Sequence, residues 1–176
     1  MSQVLIGVGS NLGDREDNIR QAVSLLAELP ETRIVSQSSL KEYPAAEGAA
    51  GQGPFLNGAI LIETELAPTD LLYKCQVIER RIGRSSKNDH ADRPIDLDLL
   101  FYSREVVIQG KNLQIPHPRL QNRIFVLETL EEIAADWIHP RLGRSIRELR
   151  EDLEGPHENR DHAGGIADVP PQSPHP

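Results

Sequence analysis

The chain has 176 residues, with 19 Lys and Arg against 27 Asp and Glu, which gives a formal net charge of −8. This length suggests one domain, or one domain with an appendage, and the acidic balance argues against a general nucleic-acid binder. A single cysteine, Cys75, excludes an intrachain disulfide and a multi-cysteine zinc site, and the apolar runs are too short to span a bilayer.

The two ends of the chain set further expectations. The first residues lack the basic start and the long apolar stretch of a signal peptide, so we expect a protein of the cytoplasm. Residues 154–176 hold five of the 13 prolines and three of the six histidines, and their few apolar side chains cannot offset the cost of ordering the segment. The sequence therefore predicts a domain at 1–153 followed by a disordered, acidic tail rich in Pro, His and Gly at 154–176.

Hydrophobic periodicity predicts three strands and one helix in the first third of the chain. Asp14 precedes apolar residues at helical spacing, which is typical of a helix N-cap, and Pro30 ends that helix. The predicted order is a strand at Val4–Val8, this helix, a strand at Arg33–Leu40, a loop at Lys41–Pro54 and a strand at Phe55–Thr64.

The rest of the chain predicts a second helix, then two strands and two helices. Pro68 and Gly83 bound the second helix, because proline suits the first helical turn and glycine the position after the last. After a polar loop at 84–94, the predicted elements are strands at Ile95–Tyr102 and Val106–Ile108 and helices at Ile124–Ala134 and Ile146–Leu153. The order β-α-β-β-α-β favours an α+β fold, a ferredoxin-like two-layer sandwich with helices on one face of a mainly antiparallel sheet.

The strand that starts at Ile95 carries two acidic residues. Alternate residues of a strand share a face, so Asp96 and Asp98 project together while Ile95, Leu97, Leu99 and Phe101 point inward. The two carboxylates lie roughly 6–7 Å apart, twice the strand rise, and repel each other unless a cation lies between them. Mg²⁺ ions that bridge to phosphate oxygens would satisfy them. The alternative is a pair of solvated carboxylates on an ordinary amphipathic strand.

Cationic side chains flank these carboxylates in the two neighbouring loops. Such cations, together with a metal, neutralise the charge that develops on phosphoryl oxygens during polyphosphate chemistry. The alternative is a set of surface ion pairs that contribute little. The residues are Arg84, Lys87 and Arg93 before the strand, and His117, Arg119 and Arg123 after it.

Two of the three phenylalanines, Phe55 and Phe125, together with Asn57, form a possible site for a flat ligand. Two rings and a side-chain amide could sandwich a heterocycle and hydrogen-bond its edge. The alternative is a pair of core aromatics and a polar residue at a strand end.

Other signatures are absent or incomplete. The chain has no G-x-x-x-x-G-K-[ST] loop, and the Gly7, Gly9 and Gly13 spacing is one residue too long for a dinucleotide fingerprint. His90, His139 and the histidines of the tail lack ligand-like spacing, and we interpret them as surface residues.

Taken together, the motifs resemble those of the 6-hydroxymethyl-7,8-dihydropterin pyrophosphokinase family of folate biosynthesis. The resemblance runs from about Val4 to about Leu149. It rests on residues 9–14 (GSNLGD), 55–57 (FLN), Gln76 with Glu79, Gly83-Arg84, 93–100 (RPIDLDLL), 115–118 (IPHP), and Asn122-Arg123 with Phe125.

The resemblance implies a ferredoxin-like enzyme that transfers pyrophosphate from MgATP to a pterin hydroxymethyl group and releases AMP. It implies small-molecule substrates, two Mg²⁺ ions, no nucleic-acid or membrane partner, and a monomer. Asp96 and Asp98 would hold the metal and act in catalysis with Arg84 and Arg93. Phe55, Asn57, Phe125, Pro44 and Ala45 would bind the pterin, and Gln76, Glu79, Lys87, Leu99, His117 and Arg123 would bind ATP.

Two other functions stay open at this point. Where the family usually has an arginine two positions after Arg84, this chain has Ser86, followed by Lys87. Such changes in the loop at 84–94 would also suit a catalytically weak paralogue that binds nucleotide or pterin in a regulatory role. A third possibility is an enzyme of the same fold that acts on a different flat heterocycle.

Overall fold

A computed structural model of the chain describes residues 1–45, 53–83 and 92–155. The loop residues Arg84, Ser86, Lys87 and His90, and the predicted tail beyond residue 155, lie outside the described residues. Within them the helices are α1 Arg15–Ala27, α2 Pro68–Ile82, α3 Ile124–Ala134 and α4 Ile146–Glu154, with a short 3₁₀ turn at Leu120–Asn122. The strands are β1 Ser2–Ser10, β2 Thr32–Gln37, β3 Lys41–Tyr43, β4 Phe55–Thr64, β5 Asp96–Tyr102, β6 Val107–Gln109 and β7 Leu113–Ile115.

The main sheet is antiparallel, with the strand order β2-β4-β1-β5. This order, with α1 between β1 and β2 and α2 between β4 and β5, confirms the predicted ferredoxin-like α+β fold. β3 pairs with β4 inside the segment predicted as the loop Lys41–Pro54, and β6 pairs with β7 in a separate hairpin. Each described helix is too short or too polar to cross a membrane.

Helices cover both faces of the sheet, whereas the sequence predicted them on one face. Val4, Ile6 and Val8 of β1 pack in a core with residues of α1 and α2. Leu5, on the opposite face of β1, packs in a second core with residues of α3 and α4 such as Leu127. The last two helices therefore add a third layer to the ferredoxin-like unit.

A β-bulge in β5 changes the face of one predicted residue. Leu5 of β1 pairs with Phe101, whereas the next residue, Ile6, pairs with Leu99, so Leu100 is the extra residue. Leu97 and Leu99 lie in the core beside α1 and α2 as predicted, but Phe101 lies in the second core. The prediction for Phe101 is wrong because strict alternation does not survive a bulge.

The local signals at the helix ends are confirmed. The Asp14 side chain accepts a hydrogen bond from the Asp17 backbone N–H at 3.1 Å and caps α1. Gly83 ends α2 with φ = +116°, a left-handed conformation that favours glycine. These residues fix where α1 begins and where α2 ends.

His139 is buried, which corrects its interpretation as a surface residue. Its side chain is only 4% exposed and meets the Phe101 ring edge-on, with centroids 5.6 Å apart. Its Nδ1 atom accepts hydrogen bonds from the backbone N–H groups of Arg141 and Leu142 at 3.1 and 3.2 Å. Burial, followed by the charge of Arg141, lowers the pKa of His139, because both disfavour the protonated ring.

This burial predicts a pH-dependent stability. The folded-state pKa of His139 lies below the ordinary value of about 6.5, so the unfolded chain takes up the proton first. The stabilisation is complete above pH 6.5 and is lost as the pH falls toward the folded-state value. We expect the thermal midpoint to fall more steeply from pH 7 to pH 5 in the wild type than in His139→Asn, whose Oδ1 can replace Nδ1 as acceptor. Parallel pH profiles of the two proteins would contradict this.

Candidate active site

The register of three strands brings the predicted ligand-binding and acidic residues onto one sheet face. Gly9 of β1 pairs with Asn57 of β4 on one side and with Asp96 of β5 on the other. Gly7 pairs in the same way with Ala59 and with Asp98. Directly paired residues share a face, and two strand spacings separate Asn57 from Asp96, which is about 10 Å. The amide and the carboxylates thus border a floor of glycine backbone, on which the side chains of Asn57 and Leu100 pack.

The absence of a side chain at Gly9 is required by Asn57. A Cβ atom at Gly9 would lie 2.8 Å from Asn57 Oδ1 and 3.7 Å from Phe55 Cδ1. The first distance is shorter than carbon–oxygen van der Waals contact, so any larger residue would displace the amide. In the sequence, Gly9 belongs to the motif at 9–14 and to the Gly7, Gly9 and Gly13 spacing, and neither indicates that it makes room for Asn57. That role depends on the register of β1 against β4, which is known only once the strands are paired.

The Asp96 carboxylate is paired with a cation in the described structure. Arg93 Nη1 lies 3.2 Å from Asp96 Oδ2, and the two side chains are 14% and 21% exposed. Asp98 is half-buried on the same face. The structure therefore brings Arg93, Asp96 and Asp98 together, as predicted from the sequence.

His117 lies beside the same strand but does not act as a cation at neutral pH. Its backbone N–H donates to the Leu100 carbonyl at 3.1 Å, which fixes it against the outer edge of β5. Burial lowers the pKa of His117 to about 4, and the charges of Arg123 and Arg119 act in the same direction, against the effect of Asp96. The sequence placed His117 among the cations, and the structure makes it a neutral hydrogen-bonding group beside Arg123.

The predicted aromatic residues lie at the other side of the floor and are only partly buried. Phe55 and Asn57 are alternate residues of β4 and share the face of Gly9, and Phe125 lies in the first turn of α3. The Arg123 guanidinium carbon lies 5.9 Å from the centroid of the Phe125 ring, within the range of a cation–π contact. Because Phe55 and Phe125 are half-buried rather than enclosed, both retain surface for a ligand.

Tyr43 connects β3 to α3 and was not found from the sequence. It pairs with Phe55, and its ring lies 5.8 Å from that of Phe125 between centroids. Its hydroxyl donates to Glu128 Oε2 at 2.6 Å, and burial followed by this hydrogen bond raises the pKa of Tyr43. Pro44 and Ala45, two predicted substrate-binding residues, directly follow Tyr43 in the chain. The contact of Tyr43 therefore fixes the point from which they start.

The predicted ATP-binding residues of α2 belong to the other layer. α2 packs on the opposite sheet face from Asp96, against β5, and its end at Gly83 lies beside Pro94. Gln76 is half-buried and Glu79 is a buried carboxylate with 1% exposure. The Leu99 side chain lies in the core, so a contact of Leu99 with a nucleotide has to involve its backbone.

The acidic pair suits an ion that shares its ligands with a substrate. Within residues 1–45, 53–83 and 92–155, no cluster of three or more His, Cys, Asp or Glu side chains could hold a metal ion. Mg²⁺ usually keeps several waters and takes one or two carboxylates together with substrate phosphates. Asp96 and Asp98, two carboxylates on an open strand face, fit that donor set.

Comparisons with known proteins point to one enzyme family. The model of the 7,8-dihydro-6-hydroxymethylpterin-pyrophosphokinase family matches residues 5–135. The 2-amino-4-hydroxy-6-hydroxymethyldihydropteridine pyrophosphokinase of Bacillus subtilis is 42% identical over 128 residues, 73% of this chain and 75% of the relative. The enzyme of the same name from Porphyromonas gingivalis is 37% identical over 145 residues, 80% of this chain and 95% of the relative.

Solved structures show the same fold in a longer protein. The structure of wild-type Plasmodium falciparum HPPK-DHPS superposes with a TM-score of 0.66 at 15% identity over 85% of this chain. This chain spans 40% of the length of that protein. At this identity the likeness concerns the fold alone.

The contact between Gly9 and Asn57 gives a prediction for folding. Gly9→Ala should lower the free energy of unfolding by about 1–3 kcal/mol, because its Cβ overlaps the Asn57 amide. In an Asn57→Ala background the same substitution should cost clearly less, since the overlapping atom is gone. Thermal or urea unfolding of the four proteins in this cycle measures the difference. Equal costs in both backgrounds would mean that Asn57 does not limit the size of residue 9.

Proposed function

The chain belongs to the 7,8-dihydro-6-hydroxymethylpterin-pyrophosphokinase family, and we propose that its reaction takes place on the sheet face that carries Asn57, Gly9 and Asp96. The protein is an ATP-dependent enzyme that transfers pyrophosphate to hydroxymethyl-dihydropterin in folate synthesis. No comparison favours the regulatory paralogue. The reaction forms a bond from the hydroxymethyl oxygen to the β-phosphorus of ATP and breaks the bond from this phosphorus to the oxygen that bridges to the α-phosphate. AMP leaves with that oxygen, and the hydroxyl proton is released.

The row from Asn57 through Gly9 to Asp96 is the observation that carries the proposal. It spans about 10 Å, enough for a flat bicycle at one end and a phosphate group at the other. Asn57 would hydrogen-bond the edge of the pterin, and Phe55 and Phe125 would stack on its faces. Pro44 and Ala45 would complete this side of the pocket. The hydroxymethyl group would then point along the row toward the acidic residues.

Asp96 and Asp98 would hold Mg²⁺ at the other end of the row. We propose two ions, because two carboxylates about 6–7 Å apart can each bind one and share the phosphates of ATP between them. When bound, the ions neutralise charge on the phosphoryl oxygens and orient the phosphates. Waters and phosphate oxygens would supply the remaining ligands.

The side chains near the acidic pair would bind and orient the phosphates. Arg93, next to Asp96, and Arg123, next to Phe125, supply positive charge at both borders of the site. His117 is neutral and can donate one hydrogen bond without adding charge. Catalysis would rest on positioning and on charge stabilisation, without a covalent enzyme intermediate.

The remaining predicted contacts are also proposals. Gln76 and Glu79 of α2, with the backbone of Leu99, would bind ATP from the edge of β5, and Arg84 and Lys87 would contact its phosphates. We also propose that the enzyme acts as a monomer in the cytoplasm. Residues 154–176 would lie outside the catalytic domain, which agrees with the family match ending at residue 135.

A nucleotide assay tests the function. The pure protein is incubated with hydroxymethyl-dihydropterin and MgATP, and AMP is separated from ADP. AMP formed only in the presence of the pterin supports the pyrophosphate transfer. ADP as product would point to transfer of a single phosphoryl group, and binding without turnover would point to the regulatory paralogue.

Replacing Asp96 or Asp98 by Ala should separate stability from activity. Each change removes one metal ligand, for which we expect AMP formation to fall 10²–10³-fold, a loss of about 3–4 kcal/mol in transition-state stabilisation. Without Mg²⁺ the thermal midpoint of Asp98→Ala should be kept or raised, because repulsion between the carboxylates is relieved. For Asp96→Ala the loss of the partly exposed ion pair with Arg93, worth about 0–1 kcal/mol, should offset that gain.

Glu63 offers a matched control, because it is also a strand carboxylate paired with an arginine, Arg33, but lies away from the row. Glu63→Ala should leave AMP formation unchanged. Near-native turnover in both Asp96→Ala and Asp98→Ala would refute the proposed metal site.

A further inference from the structure

Asn11, directly after β1, binds the backbone of Arg93 at two points. Its Oδ1 atom accepts the Arg93 backbone N–H at 2.6 Å, and its own backbone N–H donates to the Arg93 carbonyl at 3.1 Å. Its Nδ2 atom donates to Asp92 Oδ1 at 2.9 Å. Asn11 is only 9% exposed, so its own side of these bonds is buried, whereas Asp92 is exposed. Both backbone polar groups of Arg93 are therefore held by a single residue.

This arrangement fixes the backbone from which the Arg93 side chain starts. The N–H and the C=O of a residue lie on either side of its Cα, so binding both sets its φ and ψ. The following residue, Pro94, further restricts Arg93 to extended conformations. From this fixed backbone the Arg93 guanidinium reaches Asp96, three residues on. A change at Asn11 would therefore be felt at the guanidinium, although Asn11 contacts neither Asp96 nor its neighbour Asp98 in the bonds described.

We propose that Asn11 is a positioning residue for Arg93, and that the side-chain bonds to Asp92 and to the Arg93 N–H keep the guanidinium aligned for the phosphates of ATP. This inference rests on the proposed function, in which Arg93 acts on those phosphates. It explains why an amide is present at position 11. The amide offers one acceptor, for the Arg93 N–H, and one donor, for the Asp92 carboxylate.

The pairing of donor and acceptor suggests an exchange experiment. In Asn11→Asp the carboxylate can still accept the Arg93 N–H, but its other oxygen faces the Asp92 carboxylate and repels it. Adding Asp92→Asn supplies a donor at position 92 and restores the bond in the reversed sense. Asn11→Ala removes both side-chain bonds, so Asp92→Asn cannot rescue it.

Asn18 provides a matched control for a merely structural effect. It lies near the same loop, and its Nδ2 atom donates to the Leu12 carbonyl at 2.9 Å, with no hydrogen bond to Arg93 among the described contacts. Asn18→Ala should lower the thermal midpoint without changing the binding of nucleotide. Any loss of binding in the Asn11 variants beyond that of Asn18→Ala then reports on Arg93.

The readouts are the Kd of Mg²⁺ with α,β-methylene-ATP by calorimetry, kcat, and the KM for the pterin. We expect Asn11→Asp and Asn11→Ala to weaken binding of the analogue tenfold or more and to lower kcat, with the pterin KM within threefold of wild type. The exchange Asn11→Asp with Asp92→Asn should restore binding to within threefold of wild type, and Asp92→Asn should leave Asn11→Ala impaired.

Two results would overturn the inference. One is wild-type binding of the analogue by Asn11→Asp and Asn11→Ala, and the other is an exchange variant as weak as Asn11→Asp. Arg93→Ala distinguishes the proposed role of Arg93 from the proposed role of Asn11. If Arg93→Ala is impaired while the Asn11 variants are not, the inference alone is wrong. If Arg93→Ala binds the analogue and turns over like wild type, the proposed role of Arg93 fails and the inference fails with it.

Discussion

The register of β1 between β4 and β5 is the constraint on which the site depends. Because side chains alternate along a strand, a slip of one residue would turn Asn57 or Asp96 to the opposite face. The register is held by the core beside α1 and α2, in which Val8 of β1 and Leu97 of β5 are direct partners. The hydrophobic effect that fixes this core therefore also aligns the polar residues on the other face, at no additional cost in ordering.

Two cations and a neutral histidine approach the acidic end of the site from three segments. Arg93 lies in the segment before β5, His117 lies in the segment after β7, and Arg123 is the residue directly before α3. Fixed cations near the carboxylates weaken their mutual repulsion without cancelling it, and in the proposed function the same cations would face the phosphates of ATP. His117 stays neutral because its half-buried position and the charges of Arg123 and Arg119 lower its pKa.

Several residues of the candidate site could be predicted to lie together because their spacing follows local rules. The spacing of Asp96 and Asp98 needs only the period of a strand, and Asp14 and Gly83 are recognised from their immediate neighbours. Three features that depend on long-range packing could not be predicted from the sequence. They are the bulge at Leu100, the burial of His139 against Phe101 and the hydrogen bond from Tyr43 to Glu128. Each depends on a partner far along the chain, and no local pattern contains it.

The boundary between core and site lies within one face of β1. On that face the strand presents Leu5, which packs in the core with residues of α3 and α4, and then Gly7 and Gly9, which present no side chain. On the opposite face Val4, Ile6 and Val8 continue the apolar core along the strand. The loss of side chains from one face only leaves the strand anchored, while the side chain of Leu100 packs over Gly7 and that of Asn57 over Gly9. Large side chains of β1 set where the helices rest, and its glycines leave room for the side chains of Leu100 and Asn57, so the six residues from Val4 to Gly9 determine both.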